Sequence, residues 1–379
     1  MRATSGEEFS IMPPVMKSNQ SQKNFSKLIN RIVSANGRQV KLGIDLHARD
    51  GVVCVQIDGS LPQRPLRLSH PQLVSLVGEL IKANLDVYAC YEAGPCGYGI
   101  YRRLERLGAT AYVVAPVSLQ DGRKQKTDGQ DARGLVDQLD RYVRGNKKAF
   151  TVIRVPTEKE EAARSEGRLR DQLKNSRKQW ESRGRSLLLV QGFHVTGKWW
   201  GPRKWEELKP SLPEGVIREL EVMRNILLKL DEEEKAAKEK LVESVKEPLA
   251  VGIGALTWVL ISREICNWRR FTNRRQVSGF VGLCPGVHQS GTSRRELSIN
   301  RHGNPRIRAL LIETVWRMVR WQPGYPPVRK LVEGLVSGRA RRKLAVAAAR
   351  KLAVDLWRLA TGQTTPEKLG LRMPHAQTN

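Results

Sequence analysis

The stretch Lys124-Gln-Lys-Thr-Asp-Gly-Gln-Asp-Ala-Arg133 sets Asp128 and Asp131 three residues apart at the expected start of a helix. Residues at i and i+3 share a helix face, so the two carboxylates point the same way. Like charges this close repel, and they belong together where a divalent cation lies between them or where both face water. Hard ions such as Mg²⁺ take oxygen ligands and leave room for phosphate oxygens, the arrangement that phosphodiester chemistry uses. Helix capping is the competing reading, because acidic residues in a first turn complement the macrodipole of any helix.

Two more carboxylates bear on that choice, and both depend on the elements around them. Val40-Lys-Leu-Gly-Ile-Asp-Leu46 and Gly51-Val-Val-Cys-Val-Gln-Ile57 are expected to pair as a hairpin. A short strand near 65–68, a helix over 71–81, a strand over 85–91, a basic helix over 98–107, a strand over 109–115 and a helix over 129–143 follow. Strands alternating with helices after an opening meander predict an α/β fold with a mixed sheet. Asp45 lies within the first strand, where a buried charge is costly without a partner or ligand. Glu92 ends a later strand. Each carboxylate taken singly has an ordinary structural reading. Asp45, Glu92, Asp128 and Asp131 together, coming from strand ends and helix starts of one sheet, follow the pattern of a two-metal phosphodiester site in an RNase H-like fold.

Composition narrows the partners. At 379 residues the chain has room for two or three domains. Lys plus Arg outnumber Asp plus Glu by 66 to 38, a formal charge of +28, so a polyanion is the expected partner and nucleic acid the first choice. No apolar run is long enough to span a bilayer and no signal peptide is evident, so a soluble, cytoplasmic protein is expected. Cys54, Cys90, Cys96, Cys266 and Cys284 lack paired zinc spacing and are expected to be reduced thiols.

The chain divides, on pattern, into a flexible leader (1–37), an α/β domain (38–155), a helical coiled-coil region (156–247), a C-terminal domain (248–362) and a tail (363–379). Val216, Leu220, Met223, Leu227, Leu230, Ala237 and Leu241 form a heptad seam with Glu234 and Ser244 as exceptions, suited to a coiled coil between protomers or to a helical hairpin. Trp199, Trp200 and Trp205, interleaved with bases, suit either base stacking or a hydrophobic cap on such a hairpin. Val251-Gly-Ile-Gly254 resembles the Gly-x-Gly turn of helix-hairpin-helix modules. Ser290 precedes Gly291 in an expected loop, with Arg294, Arg295, Arg301, Arg306 and Arg308 around it. A hydroxyl among guanidinium groups can attack or bind a phosphodiester, although Ser-Gly in a basic loop is also an ordinary turn. Arg339 to Trp357 reads as a basic amphipathic helix.

Taken together, these segments resemble the insertion-sequence transposases that join an N-terminal RuvC-like DEDD domain to a C-terminal domain with a catalytic serine, the bridge-RNA-guided recombinases. The resemblance runs from about Val40 to Ala360. It rests on Gly43-Ile-Asp45, Tyr91-Glu-Ala-Gly94, Lys126-Thr-Asp-Gly-Gln-Asp-Ala-Arg133, Val251-Gly-Ile-Gly254, Gly282-Leu-Cys-Pro285, Gln289-Ser-Gly291 and Ile299-Asn-Arg-His-Gly-Asn-Pro-Arg-Ile-Arg308. It implies an RNase H-like (RuvC-like) mixed-sheet domain, a helical middle region and a mainly α-helical C-terminal domain. It further implies that Asp45, Glu92, Asp128 and Asp131 bind Mg²⁺, and that Ser290 is a nucleophile forming a transient phosphoserine link to DNA. Arg294, Arg295, Arg301, Arg306 and Arg308 would hold the strand. The implied partners are DNA, a noncoding guide RNA and further copies of the chain, from dimer to tetramer, with serine and carboxylates meeting in a composite site. The leader and the segment from Trp199 to Trp205 depart from shorter members. A RuvC-like nuclease or junction resolvase, hydrolysing with metal-activated water and no covalent serine intermediate, is the alternative enzyme. An inactive nucleic-acid-binding protein is the alternative outside enzymes.

Overall fold

The structure, a computed structural model, describes residues 26–27, 29–35, 37–116, 127–290, 293–299, 301–334 and 337–374. Most of the expected leader, the segment Lys124 to Lys126 and the end of the tail lie outside the described residues. The chain forms two compact units, one ending at Val155 and one beginning at Pro156.

The first unit is built on five strands: β1 (Gln39–Leu46), β2 (Asp50–Ile57), β3 (Leu66–Ser69), β4 (Asp86–Glu92) and β5 (Thr110–Val114). Their order is β3-β2-β1-β4-β5. β1 pairs antiparallel with β2 and parallel with β4, and β2 and β3 are antiparallel, so the sheet is mixed. α1 (His70–Lys82) and α2 (Gly99–Arg106) run between strands, and α3 (Asp128–Val143) follows β5. A capping box of Ser69 and Gln72 starts α1, and the Thr127 hydroxyl accepts from the Gln130 amide to start α3.

Side chains alternate across a strand, and on β1 that alternation separates two jobs. Val40, Leu42 and Ile44 enter an apolar core with Leu73, Leu76, Leu80 and Leu104 from α1 and α2. Lys41, Gly43 and Asp45 face α3. A Cβ at Gly43 would lie 2.4 Å from the Ala132 carbonyl oxygen and the Val136 nitrogen, so strand and helix backbones touch there. Lys41, almost fully buried, reaches Asp140 at 2.9 Å and donates to the Asp58 carbonyl at 2.6 Å. α3 therefore lies along β1 with Asp140 at the strand's start and Asp128 at its end.

In the second unit, α4 (Glu158–Val190) and α6 (Glu214–Glu243) pack as an antiparallel pair, with Glu166 bonded to Lys240 and Arg177 to Glu234. The heptad seam closes within the chain: Leu220, Leu227 and Leu241 are buried, so they are not a surface for a second copy. Glu234, the break in the pattern, is buried beside Arg177 at 2.8 Å and Arg170 at 3.3 Å. α5 (Pro202–Leu208) and the residues before it cap the pair. Trp199, Trp200 and Trp205 are all buried, Trp199 lies over Gly184, and its indole nitrogen donates to the Glu181 carbonyl at 3.0 Å, which is the cap reading rather than base stacking.

The rest of the second unit comprises α7 (Ala255–Ile265), α8 (Arg274–Phe280), β6 (Pro285–Ser290), β7 (Ser293–Ile299), α9 (Pro305–Trp321), α10 (Arg329–Val332) and α11 (Gly338–Ala360). The helices share one core that includes Ile261, Leu311, Val315, Met318, Leu352 and Leu356. Among the described residues no helix is long and apolar enough to cross a membrane.

Because α3 meets β1 backbone to backbone, Gly43→Ala is expected to force the two apart and to cost about 1–3 kcal/mol. Thermal unfolding against wild type checks this. An unchanged midpoint would mean that the contact relaxes freely.

Candidate metal site and the basic hairpin

Three of the residues facing one another at the end of β1 are Asp45, His47 and Asp128. The His47 Nε2 lies 3.4 Å from Asp45 Oδ2 and 3.3 Å from Asp128 Oδ2. One ligand atom from each of the three falls within 4.8 Å of the other two. The Nε2 atom is itself buried and faces both carboxylates. The His47 ring is placed by its backbone, whose carbonyl meets the His70 Nε2 at 2.9 Å and whose amide donates to the Asp50 carbonyl at 2.8 Å.

Arg67 completes the cluster from β3. Its guanidinium forks, with Nη1 2.9 Å from Asp50 Oδ1 and Nη2 2.6 Å from Asp128 Oδ2. The hydrogen bond from Arg67 is the main reason the Asp128 carboxyl stays below the usual carboxylate range, and the charge of His47 acts in the same direction.

The other two predicted carboxylates share the frame. The parallel pairing of Gly43 with Cys90 and Ile44 with Tyr91 brings the ends of β1 and β4 together. By alternation Glu92, exposed, projects on the side of Cys90, whose thiol contacts the Leu135 carbonyl of α3 at 3.4 Å. Asp131 lies one turn beyond Asp128, beside Ala132 and Leu135 on the stripe of α3 that packs on the sheet. Two carboxylates with an imidazole nitrogen at an open sheet end suit a hard or borderline divalent cation such as Mg²⁺ or Mn²⁺. His47 and Arg67 were not singled out from the sequence. The Asp-x-His spacing at a strand end was a readable signal for His47, whereas nothing local marks Arg67.

In the second unit the expected loop around Ser290 is a β-hairpin. β6 pairs antiparallel with β7, with Gln289 opposite Arg294 and Ser290 opposite Ser293. The side chains of Ser290, Arg294 and Arg295, and residues 291–292, lie outside the described residues. The feet of the hairpin are pinned by a backbone contact, since a Cβ on Gly282 would lie 2.6 Å from the Gly303 nitrogen, and Gly282 has φ +67°.

The basic residues after the hairpin divide into two groups. Arg301 is exposed. Arg306, expected to face phosphate, is instead bonded to Asp171 and lies 3.4 Å from Glu264. Arg308 donates to the carbonyls of Val281 and Arg301 at 3.4 and 3.3 Å, which braces the hairpin feet. Burial alone would raise the Glu264 carboxyl, but hydrogen bonds from Arg168 and Asn304 and the charges of Arg168 and Arg164 outweigh it and hold the group below its usual value.

Comparison with known proteins finds similarity to transposases. Residues 250–328 match the profile described as Transposase IS116/IS110/IS902 family. The chain is also similar to "Putative transposase y4rJ" of Sinorhizobium fredii, 29% identical over 316 residues that cover 75% of this chain and 79% of the relative. It is 26% identical over 315 residues to "Transposase for insertion sequence element IS1111A" of Coxiella burnetii, covering 79% of this chain and 83% of that protein. "Transposase for insertion sequence element IS1533" of Leptospira borgpetersenii is 24% identical over 300 residues, covering 74% and 85%. The likeness to these transposases runs along most of the chain, and the profile match is confined to residues 250–328 of the second unit.

Because the folded Glu264 carboxyl is held low, its stabilisation is present above the ordinary glutamate value of 4.5 and is lost as pH falls through the lower folded value. Glu264→Gln, which leaves Arg164, Arg168 and Arg306 beside a buried but uncharged amide, is expected to lose about 1–3 kcal/mol at neutral pH. Denaturant unfolding at pH 7 and below pH 4 checks it. The gap between variant and wild type should shrink on acidification.

Proposed function

We propose that this chain is an insertion-sequence recombinase that cuts and rejoins DNA strands, with Ser290 as nucleophile and Asp45, Glu92, Asp128 and Asp131 as holders of Mg²⁺. The single observation that carries the reading is the convergence of Asp45, His47 and Asp128 at one sheet end in a chain similar to transposases along most of its length. Its basic charge suits DNA and a noncoding guide RNA, the latter implied by the resemblance alone. A homo-oligomer, from dimer to tetramer, and a cytoplasmic setting belong to the same reading.

In this scheme the Ser290 hydroxyl loses its proton and its oxygen attacks the scissile phosphorus. The bond to one DNA oxygen breaks, that oxygen takes up a proton, and a serine phosphodiester retains the strand. A hydroxyl of the joining strand then attacks the same phosphorus, and the serine oxygen leaves and regains its proton. A divalent cation supplies Lewis-acid stabilisation of the phosphate charge. Asp45 and Asp128 offer it oxygen ligands, with Glu92 and Asp131 on the same frame, and Arg301 offers an exposed cation for a neighbouring phosphate.

The test places the gene with its native flanking noncoding DNA in a host cell and sequences newly joined junctions. Wild type is expected to form them, and Ser290→Ala and Asp128→Ala to reduce them to background. Junctions that persist in Ser290→Ala but vanish in Asp128→Ala would assign the cleavage to metal-activated water, as in a RuvC-like nuclease.

A further inference from the structure

The acidic cluster already has a cation of its own. Arg67 Nη2 lies 2.6 Å from Asp128 Oδ2, the same oxygen that stands 3.3 Å from His47 Nε2 and thus faces the centre of the cluster. A divalent cation bound there needs a lone pair of that oxygen at about 2.0–2.1 Å for Mg²⁺. The guanidinium draws on the same oxygen and repels the incoming charge, so it competes with the cation for Asp128.

We propose that Arg67 is a built-in counter-ion of the acidic site, which neutralises Asp128 before metal binding and is displaced from it by the cation. This rests on the reading that Asp45 and Asp128 are metal ligands. Three observations favour exchange over a permanent bond. The side chains of Arg67 and Asp128 are 53% and 47% exposed, and ion pairs so open to water hold weakly. The other arm of the fork is anchored on Asp50 at 2.9 Å, so the guanidinium is retained at the rim once it leaves Asp128. The anchor is rigid: Arg67 stands on β3 opposite Val52, and Asp50 opposite Ser69, in one antiparallel ladder. From that rim a planar guanidinium suits a phosphate oxygen, so a displaced Arg67 can move from carboxylate to substrate.

The experiment measures Mn²⁺ binding to the full-length protein by the electron paramagnetic resonance of free Mn²⁺, for wild type, Arg67→Met, Arg67→Lys and Asp45→Asn. Arg67→Met is expected to bind about three- to ten-fold more tightly at low ionic strength, with the gap narrowing at high salt as the charge is screened. Arg67→Lys keeps the positive charge and should stay near wild type. Equal or weaker binding by Arg67→Met, with Asp45→Asn still abolishing it, would overturn the role of Arg67 and leave the metal site standing. Binding that is absent from every protein, or indifferent to Asp45→Asn, would remove the metal site and the Arg67 proposal together.

Discussion

The contact between α3 and β1 at Gly43 is the constraint on which the first unit depends. With no side chain at that position, helix and strand approach until a Cβ would strike the Ala132 carbonyl and the Val136 amide. The approach fixes the helix along the strand, and one contact thereby sets where both ends of α3 fall. The hydrogen bond of the Cys90 thiol to the Leu135 carbonyl extends the same close packing to β4. Carboxylates from sequence positions 45 and 128 then meet without either being locally encoded to do so.

The second unit handles charge differently. Its excess of arginine is partly consumed by carboxylates inside the fold: Glu264 meets Arg164, Arg168 and Arg306, and Glu234 meets Arg170 and Arg177. Pairs with a buried carboxylate fix geometry more than they add net stability, because desolvation of that carboxylate offsets much of the attraction. They join α4 to α6, and α4 and the start of α9 to α7. The arginines that remain exposed, such as Arg339, Arg341 and Arg342 at the start of α11, are those left to face a polyanion.

Local pattern carried much of this into the sequence. The period-two alternation of Val40 to Leu46 and the helical spacing after Pro71 gave strand and helix within a residue or two of β1 and α1. The β6–β7 hairpin was not legible, because Pro285, Gly286 and Gly291 signal turns and outweigh a short strand pattern. A heptad repeat states that a seam exists but not whether its partner lies in the same chain, which is why the α4–α6 pair needed the structure. Arg306 looked free for phosphate because its carboxylate, Asp171, stands 135 positions away, and local sequence does not encode such pairing. Arg67 was hidden for the same reason, its bond to Asp128 spanning 61 positions.

The two ends of α3 show what separates a structural ion pair from an exchangeable one. At the start of β1, Lys41 is 2% exposed and Asp140 14%, so the pair is closed to water and its loss would strand a buried charge. At the end of the strand, Asp128 and Arg67 are roughly half exposed, and solvent can replace either partner at little cost. The same helix thus carries one carboxylate that locks it to the sheet and another that is held but releasable. On the proposed function the site admits a cation and a phosphate and so needs the second kind, and it can tolerate so loose an end because the first kind, with Gly43 between them, holds the helix in place.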